Sequence, residues 1–268
     1  MNELSLGVVF RPQSPPERLR EVALAAEASG VSQLWLWEDC FLEGGLTAAA
    51  AALAWTERLQ VGVGLLPVPL RNPALAAMEI ATLARLFPGR FLPGLGHGVL
   101  DWMAQVGARV PSPMTLLREH TAAVRDLLHG RTVDVDGRFV HLDGVALDWP
   151  PREVPPLLIG ARGPKTVRLA GEIADGVILD SGVTAAQVRE ARAQAEEGRA
   201  AAGRTDAFRT VVYVEVDTTT AGLQARVDEC AQQLAAAGAD TVVFQATAAA
   251  PDPEPLLEAC GRAAPVPR

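Results

Sequence analysis

Residues 59–98 read LQVGVGLLPVPLRNPALAAMEIATLARLFPGRFLPGLGHG. A short apolar strand is predicted over 60–66 and a second over 90–95, with a helix between them that Asn72-Pro73 caps and starts. Pro88-Gly89 turns the chain into the second strand. Leu75, Met78, Leu83 and Leu86 are the expected buried face of the helix. Each strand runs into an irregular segment, LLPVPLRNP after the first and GLGHG after the second. In a parallel α/β protein such strand ends are where ligands bind.

The same unit recurs on both sides. Upstream, a strand over 4–10 leads to a helix that Ser14-Pro15-Pro16-Glu17 opens with capping-box spacing. Its stripe of Leu19, Val22, Ala23 and Ala26 ends at Gly30. A strand over 33–37 and a helix over 47–58 follow. Downstream, a helix runs from Ser112-Pro113 to Gly130, and then the pattern breaks. Asp136-Gly137, between apolar runs at 132–134 and 138–142, predicts a type I′ hairpin. Strands over 156–159, 176–180, 209–216 and 241–245 then alternate with helices over 164–174, 184–202, 220–237 and 254–262. Eight βα units predict an α/β fold, a (β/α)8 TIM barrel formed as one domain over 1–268. Residues 131–156 form a small hairpin insertion between strands 4 and 5. A doubly wound open sheet is the alternative.

The bulk composition narrows the function. A net charge of −8 and a pI near 5.1 argue against a nucleic-acid partner, which needs a broad basic face. No run approaches the roughly 20 apolar residues of a membrane span. The start, MNELSLGVVF, lacks the basic and apolar regions of a secretory leader. Cys40, Cys230 and Cys260 are scattered and odd in number, so neither a zinc site nor a disulfide framework is expected, and a cytoplasmic location fits.

A barrel gathers its strand C-termini on one face. That brings together Arg11, Glu38, Asp39, Cys40, Leu65, Leu66, Gly96, His97, Gly98, Asp180, Glu215, Gln245 and the loop Gly160-Ala161-Arg162-Gly163-Pro164-Lys165. The loop precedes a helix whose first residue is Pro164 and carries the chain's single lysine. It reads as a phosphate site, with free N–H groups at a helix start, or as a plain Gly/Pro turn with incidental surface charge. His97 reads as a ligand contact, a general acid/base or a hydrogen-bonded structural histidine. Adjacent strand side chains point to opposite faces, so only one of Glu38 and Asp39 enters the site. Cys40 reads as an inert apolar residue, His120 and His129 as surface or rim, and His141 as exposed in the hairpin.

Three stretches together resemble the bacterial luciferase-like oxidoreductases, (β/α)8 proteins that use FMN or the deazaflavin coenzyme F420. They are residues 61–98, WEDCF at 37–41, and IGARGPKTVRLAGEIADGVIL at 159–179. The resemblance implies that the third-strand end at Gly64, Leu65 and Leu66 is a bulge, often with a non-proline cis peptide, that backs the cofactor ring. It implies that Asp39 bonds the ring's polar edge. It also implies that Gly96, His97 and Gly98, together with Gly160, Ala161, Arg162 and Gly163, touch the cofactor's side chain and phosphate, with Pro164 and Lys165 closing that loop.

Two departures stand out. Cys40 occupies the place of a family histidine, and Val99 that of a glutamate in the F420-dependent sugar-phosphate dehydrogenases. His97 or Glu38 is then the remaining candidate proton partner. The reading is an F420-dependent oxidoreductase moving a hydride to or from a small organic substrate. F420 is preferred to FMN because arginine-heavy, GC-rich members of the family often use it. The alternatives are an FMN-dependent monooxygenase fed by a separate reductase, a flavoprotein or F420-binding protein with little catalysis, and an unrelated barrel enzyme for a phosphorylated metabolite. The resemblance also implies a homodimer.

Overall fold

The computed structural model describes residues 3–263 and Val266. In chain order, β1 (Ser5–Val9) leads to α1 (Leu19–Ser29), β2 (Gln33–Leu36) to α2 (Gly45–Trp55), and β3 (Gln60–Pro67) to α3 (Pro73–Leu86). Next, β4 (Phe91–Gly96) leads to a short α4 (Leu100–Gln105) and to α5 (Pro113–Leu128). A two-stranded hairpin, β5 (Val133–Asp136) and β6 (His141–Val145), follows. The alternation then resumes with β7 (Leu158–Ala161), α6 (Pro164–Ile173), β8 (Gly176–Leu179), α7 (Ala185–Ala201), β9 (Arg209–Val216), α8 (Leu223–Ala236), β10 (Thr241–Ala246) and α9 (Glu254–Arg262). Apart from the hairpin, all strands are parallel and neighbour one another as β1-β10-β9-β8-β7-β4-β3-β2, and β1 also pairs with β2. The sheet is a closed barrel with no open edge, as expected, and the hairpin is the insertion between barrel strands four and five.

Alternation along the strands sorts the core into two sets. Val8, Leu34, Val61, Val212, Val242 and Phe244 pack outward with the helices, while Val9, Trp35, Leu92, Leu158, Ile178, Val211, Tyr213 and Val243 fill the lumen. Trp35 is the largest lumen residue and is fully buried. It fits because β3 is bare beside it: a Cβ on Gly62 would lie 2.5 Å from the indole ring. The indole Nε1 donates to Gln33 Oε1 at 2.9 Å, so the bulky ring enters the core with its polar atom satisfied.

Local expectations fail in three places. Ser14 does not cap α1; a single 3-10 turn, Pro16–Arg18, precedes it, and Arg18 stands at its N-cap with no side-chain bond. In α3 only Leu83 of the four expected core residues is buried, whereas Leu75, Met78 and Leu86 are 47%, 56% and 65% exposed. Ile80 and the small residues Ala76, Ala77, Ala81 and Ala84 face the barrel instead, because alanines let the helix pack close to the sheet. The hairpin does not turn at Asp136-Gly137. Asp136 pairs with His141, so the loop spans 137–140, and Gly137 does not have the positive φ that a type I′ turn requires.

A carboxylate from α5 shapes that loop. Glu119 accepts the N–H groups of Arg138, Phe139 and Val140 at 2.9, 2.8 and 3.1 Å. Glu27 of α1 does the same for Glu57, Arg58 and Leu59 at the entry to β3. Burial pushes the Glu119 carboxyl up, but the three N–H donors outweigh it and hold the group below the ordinary glutamate value.

A carboxyl depressed in the folded state contributes stability above its unfolded pKa and loses it as pH falls through the folded value. Glu119→Ala is therefore expected to free the 137–140 loop at neutral pH, and acidification to free it in the wild type. Limited proteolysis across 133–145, at pH 7 and under acid conditions, checks both.

Candidate active site

Six polar residues collect where the barrel strands end. Arg11 lies just beyond β1, Asp39 beyond β2, Arg162 and Asp180 beyond β7 and β8, and Glu215 and Gln245 near the ends of β9 and β10. Arg11 is buried. Its Nη1 donates to Glu215 Oε2 at 2.9 Å and to the Ala246 carbonyl at 2.6 Å, and its Nε to Gln13 Oε1 at 3.1 Å. The guanidinium also stacks 5.0 Å from the Trp37 ring centre. Gln245 Nε2 reaches the same Glu215 oxygen at 3.2 Å. Arg162 pairs with Asp180 at 2.7 Å. Burial raises the Asp39 carboxyl above its ordinary value; Arg11 and Arg162 oppose the rise and Asp180 adds to it.

A hydrophobic platform stands among these groups. The pairing of β3 with β4 shifts between Val63 and Leu66, a bulge, and the Gly64–Leu65 peptide is cis, as the resemblance implied. The Cys40–Phe41 peptide is cis as well, which no sequence feature announced. The Leu65 side chain lies over the bare backbone of two other strands. A Cβ on Gly96 of β4 or on Gly160 of β7 would collide with its Cδ2. Next to it Gly98, at φ 69°, sits where a Cβ would be 2.9 Å from Pro67 Cβ, so the backbone passes close to the bulge.

The 160–165 loop joins β7 to α6. Gly163 is the N-cap of α6 and Pro164 its first residue. Gly160 and Ala161 belong to the strand, whereas Arg162 and Lys165 are exposed. A Cβ on Gly163 would meet nothing within 4 Å, so space beside this helix start is open.

The two candidate proton partners differ in how far they are engaged. Glu38 faces the helix layer, where both its oxygens bind Arg71 (Oε2 at 2.7 Å) and Oε2 also accepts the Gly45 N–H at 2.9 Å. Arg71 also reaches Glu79 at 3.2 Å. Removing one partner of a pair buried like this costs about 3–5 kcal/mol, so Glu38 anchors Arg71 and the start of α2. His97 leaves β4 on the side opposite Leu65. Its Nε2 lies 3.3 Å from Thr166 Oγ1 on α6. Burial holds its imidazole below the ordinary value, and the Pro113 carbonyl opposes this. Its Nδ1 is buried and has no hydrogen-bond partner among the described residues.

His120, expected at the rim, is 1% exposed. Its Nε2 donates to the Arg71 carbonyl at 3.2 Å, and burial pushes it down to about 4. Burial, together with Glu38 and Asp39, raises the Cys40 thiol, so Cys40 stays protonated.

Two residues escaped the sequence reading. Tyr213 sits in the lumen below the platform, and nothing in the β9 pattern distinguishes it from a core aromatic. Glu43 lies in the loop before α2 with both carboxylate oxygens buried and without a hydrogen-bond partner among the described residues. Burial raises it to about 7.

The raised apolar platform, bare backbone on β4 and β7, polar groups around the mouth and open space at the start of α6 fit a flat ring with a phosphate-bearing side chain. The luciferase-like monooxygenase family model matches residues 6–250. A 5,10-methylenetetrahydromethanopterin reductase of Archaeoglobus fulgidus is 30% identical over 215 residues, 80% of this chain and 64% of the relative. An F420-dependent glucose-6-phosphate dehydrogenase of Mycobacterium avium is 35% identical over 200 residues, 68% of this chain and 59% of the relative. The chain thus spans less than two thirds of the length of these relatives. The F420-dependent tetrahydromethanopterin reductase of Methanopyrus kandleri superposes with a TM-score of 0.82 at 20% identity, over 97% of this chain and 98% of its own. An F420-dependent secondary alcohol dehydrogenase in complex with an F420–acetone adduct gives 0.84 at 18%, over 98% of each chain. At these identities the two structures share the fold.

An acid raised in the folded state favours folding below its unfolded pKa, and that contribution is lost as pH rises through the folded value. Glu43 therefore makes the protein less stable as pH climbs from about 4.5 to about 7. Glu43→Gln is expected to flatten this dependence and to raise the melting temperature more at pH 8 than at pH 5. Thermal unfolding at the two pH values checks it.

Proposed function

The chain belongs to the luciferase-like monooxygenase family, and from that premise we propose that it is an oxidoreductase that uses coenzyme F420 to move a hydride to or from a small organic substrate. The observation that carries the reading is the Leu65 platform, raised at the centre of the mouth and flanked by backbone without side chains at Gly96 and Gly160. The naming of relatives and fold neighbours as F420-dependent favours F420 over FMN. Bound, the deazaflavin supplies the hydride chemistry, and the protein supplies position and surroundings.

The residues divide that task. Asp39, held near Arg11 and Arg162, is placed to bond the polar edge of the ring. Gly96, Gly98, Gly160 and Gly163 let the backbone approach the cofactor's side chain, and the start of α6 with Arg162 and Lys165 takes its phosphate. Glu38 is paired with Arg71, His97 meets Thr166 through Nε2 while its Nδ1 has no partner among the described residues, and Cys40 and Val99 stand where family members carry a histidine and a glutamate. The chain thus offers no ready acid or base at the family positions. Orientation and exclusion of water carry the catalysis on this reading.

Titration with oxidised F420, followed by fluorescence, tests the proposal; micromolar binding is expected, and binding of FMN alone would favour the monooxygenase with its separate reductase. The double variant Arg162→Ala, Lys165→Ala is expected to weaken F420 roughly tenfold. It should leave the deazaflavin chromophore that lacks the phosphate-bearing side chain unaffected. Equal weakening of both ligands would remove the phosphate role.

We also propose that the protein is a cytoplasmic homodimer. No helix among the described residues is long and apolar enough to cross a membrane. The outward stripe of α3, Leu75, Met78 and Leu86, is apolar and uncovered, and a second copy of the chain would bury it. Leu75→Asp with Met78→Asp is expected to give a monomer by sedimentation; an unchanged mass would exclude this face.

A further inference from the structure

Tyr213 lies two residues before Glu215 on β9 and points into the lumen beneath the platform. The residue is 4% exposed. Its ring meets Trp35 edge-on, with centroids 5.8 Å apart and planes at 83°, and lies tilted against Trp37 at 6.0 Å. These contacts aim the hydroxyl across the barrel. In the closed order of strands, β9 and β3 stand on opposite walls, with three strands between them either way round. No backbone ladder joins them. The Tyr213 hydroxyl nonetheless donates to the Gly64 carbonyl of β3 at 3.4 Å.

That carbonyl lies in the bulge. The β3–β4 register pairs Val63 with Pro93 and Leu66 with Leu95, leaving Gly64 and Leu65 without register partners on β4. A half-buried carbonyl at an irregular point of the ladder gains from a donor elsewhere, and the phenol provides one. Contact is close enough to dictate sequence, because a Cβ on Gly64 would collide with the hydroxyl. Burial raises the phenol's pKa, so it remains a donor across the working range.

We propose that Tyr213 is a positioning residue: it holds the Gly64 carbonyl from the opposite wall and so sets the height of Leu65 and the plane on which a flat cofactor ring rests. The inference rests on the cofactor reading given above for its ring, and on the hydrogen bond and packing alone for its effect on the bulge. Leu65 is then constrained from two directions. Gly96 and Gly160 decide how far it can sink toward β4 and β7, and Tyr213 decides where its own backbone is tethered.

Tyr213→Phe tests this, because it keeps the ring against Trp35 and Trp37 and removes only the donor. In the cofactor-free protein, amide exchange in peptides covering 62–67 is expected to accelerate, with other barrel strands unchanged and only a slight fall in melting temperature. F420 affinity is expected to drop roughly tenfold, the equivalent of one lost hydrogen bond, with a shifted absorption maximum for the bound cofactor. Tyr213→Leu, which also removes the ring, is expected to lose melting temperature as well as affinity, separating packing from positioning. Wild-type exchange at 62–67 in Tyr213→Phe, or wild-type affinity and bound spectrum, overturns the positioning role. A wild-type protein that binds neither F420 nor FMN overturns the cofactor reading instead, and is recognised without any variant.

Discussion

The candidate site depends on one steric relationship: the Leu65 side chain occupies the space that a Cβ on Gly96 or Gly160 would need. Three strands must be brought together for this to matter. β3 bulges to raise Leu65, while β4 and β7 run past it as bare backbone. The same economy operates one layer down, where Gly62 makes room for the Trp35 indole. A barrel interior is a packed core, so a large side chain on one strand requires small ones on its neighbours. Here that rule also shapes the surface on which a ligand would lie.

The charged groups follow a second logic. At the mouth, Arg11 joins Glu215, the Ala246 carbonyl and the Trp37 face, and Arg162 joins Asp180, so ionic groups hold one another in place at the open end. One shell outward, Glu38, Arg71 and Glu79 form a buried network, and His120 donates to the Arg71 carbonyl. These groups have the side chains of catalysts and the work of braces. A buried ion pair is costly to break once formed. The residues that look most reactive in a list are therefore the ones most fully engaged in holding β2, β3, α3 and α5 together.

Much of the architecture was legible in the chain. Short apolar runs, each followed by a helical segment, located all eight barrel strands, and the break at 131–156 located the hairpin. The motif residues at 64–66, 96–98 and 160–165 pointed to the functional face. The α3 stripe was misread because Leu75, Met78 and Leu86 form as regular an apolar face as the alanines opposite, and periodicity alone does not say which face meets the barrel. The hairpin turn was misplaced because Glu119, distant in sequence, captures the loop N–H groups and overrides the Asp-Gly preference. Glu43 gave no signal, since its burial belongs to the loop's fold and not to its composition.

By itself, the sequence determined the strand-and-helix alternation, the positions of the glycines, and hence the fold and the place where a ligand would bind, because these follow from periodicity and backbone freedom. Only the tertiary structure decided what each polar side chain does. Glu38 and Asp39 are neighbours in the chain, yet one turns to Arg71 in the helix layer and the other to the mouth. Tyr213 and Gly64 are 149 residues apart, yet meet across the lumen. A role in chemistry depends on which partners and how much water surround a group, and those are set by residues far away in the sequence.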